Sequence, residues 1–420
     1  MNEKIHRGPV SLYLHFPFCE RKCRYCDFLS GPACAEERED YIELLCREIR
    51  MRASEVTAPK VSDPESRAPE VTDPEATAPV DTIFIGGGTP SLMTPEQADR
   101  LMEAIFSAFH VMDNAEISME VNPGTADLTK LRTYRSAGIN RLSIGVQSFD
   151  DAELKLLGRI HTSDQARRIF HMAREAGFSN INLDLMSALP GQNIETWSKT
   201  LREAVALQPE HLSAYSLIIE EGTPFAKMFS QKELPALPSE EEDREIYHFT
   251  KKFLAENGYR RYEISNYARE GYECRHNCGY WTGHEYLGLG LGASSDLGGM
   301  RFKNPDQMSQ YRKLIKERNT AALRCEKQEM TKEDRMEEFM YLGLRMTSGV
   351  SEKEFEDRFG IPLEVQFGEV LRRHISQNLI CRLQGDSGKS AFSEGNGSGR
   401  LALTEYGLDV ANYVMADYLL

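Results

Sequence analysis

Phe18-Cys19-Glu20-Arg21-Lys22-Cys23-Arg24-Tyr25-Cys26-Asp27 sets three cysteines in a C-x3-C-x2-C run directly behind the strand-like stretch Ser11 to Phe16. Three thiolates on one short loop suit three irons of a cubane cluster. Such a cluster ordinarily takes four cysteine ligands, so this loop leaves one iron open to a further ligand. The competing reading is a structural zinc, which needs a fourth ligand to close its tetrahedron. The neighbours Asp27 and Cys34 repeat no zinc spacing, because zinc cysteines come as C-x2-4-C pairs in twos. Plain thiols are the other bland alternative.

Farther along, Gly86-Gly87-Gly88-Thr89-Pro90 follows the apolar run Thr82 to Ile85, as a strand running into a glycine loop. Glycines let backbone approach a ligand closely, although such a stretch alone reads equally well as a turn. The cysteine run and the glycine loop together resemble the signature of the radical S-adenosylmethionine (SAM) superfamily. In that family the open iron is chelated by the amino and carboxylate groups of SAM. The resemblance implies that Tyr25 lies against the cofactor and that the glycine loop faces SAM.

A chain of 420 residues has room for two or three domains. Its net charge of −15 disfavours a nucleic-acid partner, since phosphate binding needs clustered Lys and Arg. There is no apolar run of about 18 residues and no signal-peptide core in Met1 to Gly8, so a cytoplasmic location is expected. Nine cysteines, an odd number, fit reduced thiols and a metal site better than a disulfide framework.

Strand-like runs recur at Ser11 to Phe16, Thr82 to Ile85, Glu116 to Val121, Arg141 to Val146, Asn180 to Leu185 and His211 to Leu217. Amphipathic stretches Glu36 to Arg50, Pro95 to Phe109, Leu128 to Ala137, Asp164 to Ala176, Glu195 to Leu207 and Ser239 to Asn257 separate or follow them. Serial βα units imply a parallel sheet, because each return needs a crossover. Eight would close a TIM barrel; six predict an α/β fold built on a partial (βα)6 TIM-like barrel, with chemistry where strands end. Residues 1–235 are expected to form this core. Residues 52–80 interrupt it with prolines at 59, 64, 69, 74 and 79 and almost no large apolar residue, which predicts a disordered, solvated insertion. Residues 236–330 are expected to extend the core.

From Thr331 a small C-terminal domain is expected, 331–420, with helices Lys332 to Met346, Glu352 to Phe359 and Leu363 to Asn378. Two short strands around the Gly/Ser-rich loop Asp386 to Gly399 and a final helix from Thr404 complete a winged-helix-like α+β order. Its 10 Lys/Arg against 15 Asp/Glu disfavour DNA binding and favour packing or lid duty.

From Val10 to about Asn304 the chain resembles the anaerobic coproporphyrinogen III oxidase branch of the superfamily and its haem chaperone relatives of the HemW type. The resemblance rests on Tyr13-Leu-His-Phe-Pro-Phe-Cys19, the Gly-Gly-Gly-Thr-Pro loop, Glu-Val-Asn-Pro-Gly124, Asn-Arg-Leu-Ser-Ile-Gly-Val-Gln-Ser-Phe149, Leu-Gly-Arg-Ile-His161 and Leu-Pro-Gly-Gln192. It implies a [4Fe-4S] cluster on Cys19, Cys23 and Cys26. It also implies SAM contacts from Tyr13, Tyr25, Gly87, Gly88, Thr89, Glu120, Gln147, Arg159 and Asp184. Glu120 and Asp184 suit hydroxyl or ammonium groups as acceptors, and Arg159 suits a carboxylate. In the oxidase branch some of these positions serve a second SAM.

Three features separate the two branches. The oxidase has an extra cysteine two places after the third, where this chain has Phe28. Only 18 residues precede Cys19, fewer than the oxidase's segment covering its substrate. His276-Asn277-Cys278-Gly279-Tyr280-Trp281 matches the His-Asn-x-x-Tyr-Trp motif of the HemW type. That resemblance implies haem binding by His276, Asn277, Tyr280 and Trp281, with imidazole as a good axial ligand and the aromatics over the porphyrin. A packed surface histidine is the bland reading. Cys274 and Cys278 beside His276 lack a fourth ligand for zinc.

The leading expectation is therefore a haem carrier with no catalytic residue assigned, haem as cargo, and haem-acceptor proteins as partners, those of the respiratory chain among the candidates. It implies an electron donor and a monomer or dimer, and is silent on membrane contact. An oxygen-independent coproporphyrinogen III oxidase is the alternative, and a radical SAM enzyme of another substrate the third.

Overall fold

The structure is a computed structural model that describes residues 8–56, 74, 77–383 and 399–419. The chain falls into two compact units, the first drawn from residues 1–209, 215–238 and 285–329, the second from 210–214, 239–284 and 330–420.

In the first unit, strands β1 (Val10–Phe16), β2 (Val80–Gly87), β3 (Val111–Val121), β4 (Arg141–Gln147) and β5 (Ile181–Ser187) pair in parallel in that order. Helices α1 (Ala35–Arg52), α2 (Pro95–Ala108), α3 (Leu128–Ser136), α4 (Asp151–Leu157) and α5 (Ser163–Glu175) make the crossovers. Helix α6 (Ile194–Ala206) leads to β6 (His211–Ser216), and the short α7 (Pro224–Ser230) follows. The end of β6 lies along β5: Ser187 Oγ donates to the Tyr215 carbonyl (3.3 Å), and the Leu217 N–H donates to the Ser187 carbonyl (2.9 Å). Leu12, Ile83, Leu142, Ile144, Leu183 and Leu185 are fully buried, as parallel strands covered by helices require. This is the partial (βα)6 architecture that the alternation of strand and helix signals implies. Helix α4 gave no such signal, because seven residues are too short to show a helical period.

The sheet also grows on the other side of β1. Strand β9 (Tyr286–Leu289) pairs parallel to it, with Tyr13 opposite Gly288, and antiparallel β10 (Ser294–Leu297), β11 (Met300–Lys303) and β12 (Cys325–Glu329) follow, with helices α10 (Met308–Lys316) and α11 (Thr320–Leu323) between β11 and β12. Residues 236–330 therefore divide, and do not form the single core extension expected from sequence. The stretch 285–329 sorts with the barrel sheet because its strands hydrogen-bond onto β1, whereas 239–284 sorts with the second unit.

The expected insertion is shorter at its start. Residues Ala53–Val56 continue α1 as a 3-10 turn, Ala53 and Val56 are buried, and the Ala78 N–H donates to the Val56 carbonyl (2.9 Å). Arg52 is fully buried: it donates to Glu48 (3.0 Å), Glu55 (3.0 Å), Asn304 (3.0 Å) and the Gly288 carbonyl (2.9 Å). Glu48 in turn accepts from the Gly290 N–H (2.8 Å), Tyr311 (2.6 Å) and Asn304 (2.7 Å). This network ties α1 to the β9–β10 edge, which residue-by-residue polarity does not reveal. The rest of the insertion, 57–73 and 75–76, lies outside the described residues.

The second unit contains α8 (Glu240–Glu256), strands β7 (Arg260–Arg261) and β8 (Asn266–Ala268), and α9 (Arg275–Thr282). Helices α12 (Lys332–Gly343), α13 (Glu352–Phe359) and α14 (Leu363–Ser376) pack with a three-stranded sheet of β13 (Val350–Ser351), β15 (Arg400–Leu403) and β14 (Ile380–Leu383). Met340, Phe355, Phe367, Leu371 and Tyr418 form the core of this winged-helix-like domain. The expected final helix is broken at Val410 into Glu405–Asp409 and Ala411–Ala416. Most of the Asp386 to Gly399 loop lies outside the described residues. No helix among the described residues is long and apolar enough to cross a membrane.

Candidate active site

The carboxyl ends of β1 to β5 gather the candidate residues. The cysteine loop leaves β1 and is anchored by the Cys19 N–H to the Gly31 carbonyl (2.9 Å) and the Arg24 N–H to the Leu157 carbonyl (3.0 Å). The glycine loop leaves β2 beneath it: the Gly88 N–H donates to the Phe16 carbonyl (2.8 Å) and the Thr89 N–H to the Phe18 carbonyl (2.7 Å). A Cβ on Gly88 would lie 2.6 Å from the Phe18 carbonyl oxygen, and one on Gly87 would lie 2.5 Å from the His15 ring. Only glycine fits at either place, so the sequence run Gly86 to Gly88 is a packing requirement of this loop pair.

Two of the three thiols have charged or polar neighbours. Thr89 Oγ1 donates to Cys19 Sγ (3.4 Å) and Arg159 Nη1 to Cys23 Sγ (3.4 Å), while burial raises the Cys26 thiol. Tyr25 packs with Leu157, Leu189 and Phe225; burial raises its phenol and the Arg159 charge opposes that. Among the described residues no three His, Cys, Asp or Glu side chains converge on one metal ion. All nine cysteines are free thiols.

The strand ends supply the rest. Glu120 closes β3 and accepts from the Gly87 N–H (2.9 Å). Asp184 on β5 accepts from Ser143 (3.0 Å) and Asn182 (2.7 Å), and its charge acts on both Glu120 and Tyr25. Tyr13 on β1 donates to His15 Nδ1 (3.0 Å). His15 must donate from Nε2, because that nitrogen meets the Leu29 carbonyl (2.8 Å), and burial keeps the ring neutral. Gln147 ends β4 at a register shift with φ of 67°, a left-handed conformation costly for a non-glycine residue. Its amide makes no hydrogen bond within the described residues, which leaves it available to a ligand. Arg159 donates to the Asn122 side chain and the Gly145 carbonyl (2.6 Å).

Thus Tyr13, Tyr25, Gly87, Gly88, Thr89, Glu120, Arg159 and Asp184 form one connected set around the cysteine loop, with Gln147 at the end of the intervening strand. Asn122, Ser143, Asn182 and His15 orient that set; His15 lies in the Tyr13-Leu-His-Phe-Pro-Phe-Cys19 run with no role assigned to it there, and the other three were not singled out by the sequence. Asn122 sits inside the Glu-Val-Asn-Pro run, the one signal that pointed to it. His161 is buried, with Nε2 on the Val146 carbonyl (3.1 Å) and its pKa pushed down to about 3 by burial and by Arg159.

Glu120 makes a pH prediction. Burial first, and the Asp184 charge second, push its carboxyl up to about 8 against the pull of the Gly87 N–H; the Tyr13 hydroxyl also feels it. A carboxyl raised on folding contributes stability that is full below its unfolded value of about 4.3 and is lost as pH rises through the folded value. Glu120→Gln is expected to flatten the fall in melting temperature of the ligand-free protein between about pH 4.5 and 8. Thermal unfolding across that range checks it, and a wild-type slope in the variant counts against it.

The histidine motif lies on α9 in the second unit. His276 is 1% exposed, and its Nε2 meets the Tyr280 hydroxyl at 2.9 Å, one helical turn on. Asn277, Tyr280 and Trp281 are half-buried, and the Arg345 guanidinium stands 4.3 Å from the Trp281 ring centre. Trp281 Nε1 is buried without a hydrogen-bond partner. Cys274 and Cys278 are buried, and Cys278 packs with Tyr262, Ala268 and Met346.

Comparison with known proteins agrees with this geometry. Residues 13–204 match the family model described as Radical SAM superfamily, and residues 330–387 match the HemN C-terminal domain. The chain is 37% identical to the Heme chaperone HemW of Bacillus subtilis, over 88% of this chain and 92% of that one. It is 34% identical to the Heme chaperone HemW of Lactococcus lactis, over 98% of each. The solved structure of coproporphyrinogen III oxidase (HemN) from Escherichia coli superposes with a TM-score of 0.79 at 23% identity, covering 99% of this chain and 91% of that chain. That likeness speaks to the fold.

Proposed function

Because the chain belongs to the haem chaperone HemW family within the radical SAM superfamily, we propose that it binds haem and hands it to acceptor proteins while carrying a [4Fe-4S] cluster and SAM. The observation that carries the cofactor part is the joining of the Cys19, Cys23 and Cys26 loop to the Gly87 to Thr89 loop and Arg159. A reduced cluster with SAM supplies one-electron chemistry at the sulfonium. The protein's own groups do the holding. Cys19, Cys23 and Cys26 take the irons, and the Gly87–Gly88 backbone gives SAM a close approach. Glu120 and Asp184 accept from its hydroxyl or ammonium donors, and Gln147 offers a free amide. Arg159 lies beside Cys23 and neutralises charge there. Free thiols throughout fit the reducing cytoplasm.

Haem is assigned to His276 with Asn277, Tyr280 and Trp281. The ring nitrogen that meets iron would exchange the Tyr280 hydroxyl for it, and Trp281 offers apolar area and an unused N–H. Haem titration of the anaerobically reconstituted protein tests the carrier. One haem bound per chain is expected, with a shifted Soret band and about tenfold weaker binding in His276→Ala. An unchanged spectrum and affinity in the variant removes His276 as ligand. Conversion of coproporphyrinogen III with matching release of 5′-deoxyadenosine would replace the carrier by the oxidase.

A further inference from the structure

We propose that the rim of the cysteine loop is the docking face for an acidic one-electron donor protein, gripped by Arg21, Lys22, Arg24 and Lys155. The inference rests on the cluster assignment above. These four cations line a cavity of about 580 Å³ whose wall continues through Gly158 to Thr162. Arg21 donates to the Gly158 carbonyl (2.9 Å), Arg24 to the Leu156 carbonyl (3.2 Å) and Lys22 to the Phe28 carbonyl (2.8 Å). Backbone carbonyls orient the cations without neutralising them, and none of the four is ion-paired among the described residues. Asp151 is the one carboxylate in the wall, and it accepts from the Ser163 N–H (2.7 Å). The loop's other carboxylates, Glu20 and Asp27, do not line the cavity.

Two further observations choose the partner. Arg21, Lys22 and Arg24 alternate with the cysteines in Cys19-Glu-Arg-Lys-Cys23-Arg-Tyr-Cys26, so each cation lies within two residues of a thiol. The patch therefore marks the surface where an electron has the shortest covalent path to the irons. The chain as a whole carries −15, so an acidic protein is repelled elsewhere and steered here. Ile160, 38% exposed, adds an apolar side chain to the cavity wall, and Phe28, 60% exposed, accepts from Lys22 on its carbonyl just past the cysteine run. Ile160 is the only large aliphatic side chain in the cavity wall, which is too polar for a porphyrin ring. The step is one electron: the reduced donor loses it, the cluster passes from 2+ to 1+, and no bond or proton moves.

The test uses the full chain and a strongly acidic flavodoxin as probe. Lys22→Glu/Lys155→Glu is expected to weaken binding of oxidised flavodoxin to the cluster-free protein by about tenfold at low salt, with the wild-type difference shrinking as salt rises. In the reconstituted protein the same variant should slow cluster reduction by flavodoxin hydroquinone by a similar factor, while reduction by the methyl viologen radical cation is not slowed. Lys155→Glu alone, outside the cysteine loop, should lose less with the same sign. Failure of the wild type to assemble a cluster would sink the cofactor reading, yet the binding arm still decides the patch. Equal binding by wild type and variant, slowing by viologen as well, or competition by inorganic phosphate at constant ionic strength, marking a small-anion site, each overturns the docking face.

Discussion

Gly88→Ala is expected to lower the iron bound per chain after anaerobic reconstitution by about tenfold, because overpacking costs roughly 1–3 kcal/mol and each 1.4 kcal/mol is a factor of ten. The added Cβ would meet the Phe18 carbonyl oxygen at 2.6 Å, the Phe18 nitrogen at 2.8 Å and the Phe16 carbonyl oxygen at 2.9 Å. All three are backbone atoms and no side chain can swing aside. The segment that must yield is the one leading into Cys19, so the strain falls on ligand placement. Gly31→Ala is the control: its carbonyl also anchors Cys19, but its Cβ has nothing within 4 Å. Iron and sulfide analysis separates the two, and equal loading of both variants would show that the loops are not clamped together.

Glu48→Ala is expected to destabilise the protein by roughly 3–5 kcal/mol, the cost of breaking a buried ion pair and leaving several buried donors without an acceptor. It would take one of its two carboxylates from the fully buried Arg52 guanidinium, which keeps Glu55, and remove the acceptor of the Gly290 N–H, of the Tyr311 hydroxyl and of the Asn304 amide. Burial pushes the Tyr311 phenol far up, so it stays a neutral donor to that carboxylate. Replacing Glu48 and Arg52 together by methionine should cost less than Glu48→Ala, since fewer uncompensated charges remain. Urea unfolding of the three chains checks the order. A loss below about 1 kcal/mol for Glu48→Ala would mean that water enters and solvates Arg52.

Much of this molecule was legible from local pattern. Six strand-and-helix alternations, the three-cysteine run and the glycine loop are contiguous signals, so each could be read within a window of about a dozen residues. Glu120, Gln147, Arg159 and Asp184 were singled out because they sit in recognisable runs, Glu120, Gln147 and Asp184 on strands and Arg159 just after α4. What stayed hidden depends on residues far apart in the chain. Strands β9 to β12 have five residues or fewer and show no period; they become strands by hydrogen-bonding to the free edge of β1 and to one another. The helical beginning of the proline-rich region was misread because Arg52 looks like a solvent residue until Glu48 and Asn304 surround it.

The sequence by itself determined which residue types stand at which spacing: three thiols on one short loop, glycines where backbone must come close, and a histidine beside two aromatics. Tertiary structure alone decided their working state. It half-buried Glu120 near Asp184, which raises a carboxyl that any isolated peptide would ionise, and it set Arg159 against Cys23 across 136 positions of chain. It also gave His276 a Tyr280 partner and a buried place. The physical reason is that spacing along the chain fixes donor type and local geometry, whereas burial and charge at a site are sums over neighbours that only the folded sheet brings together.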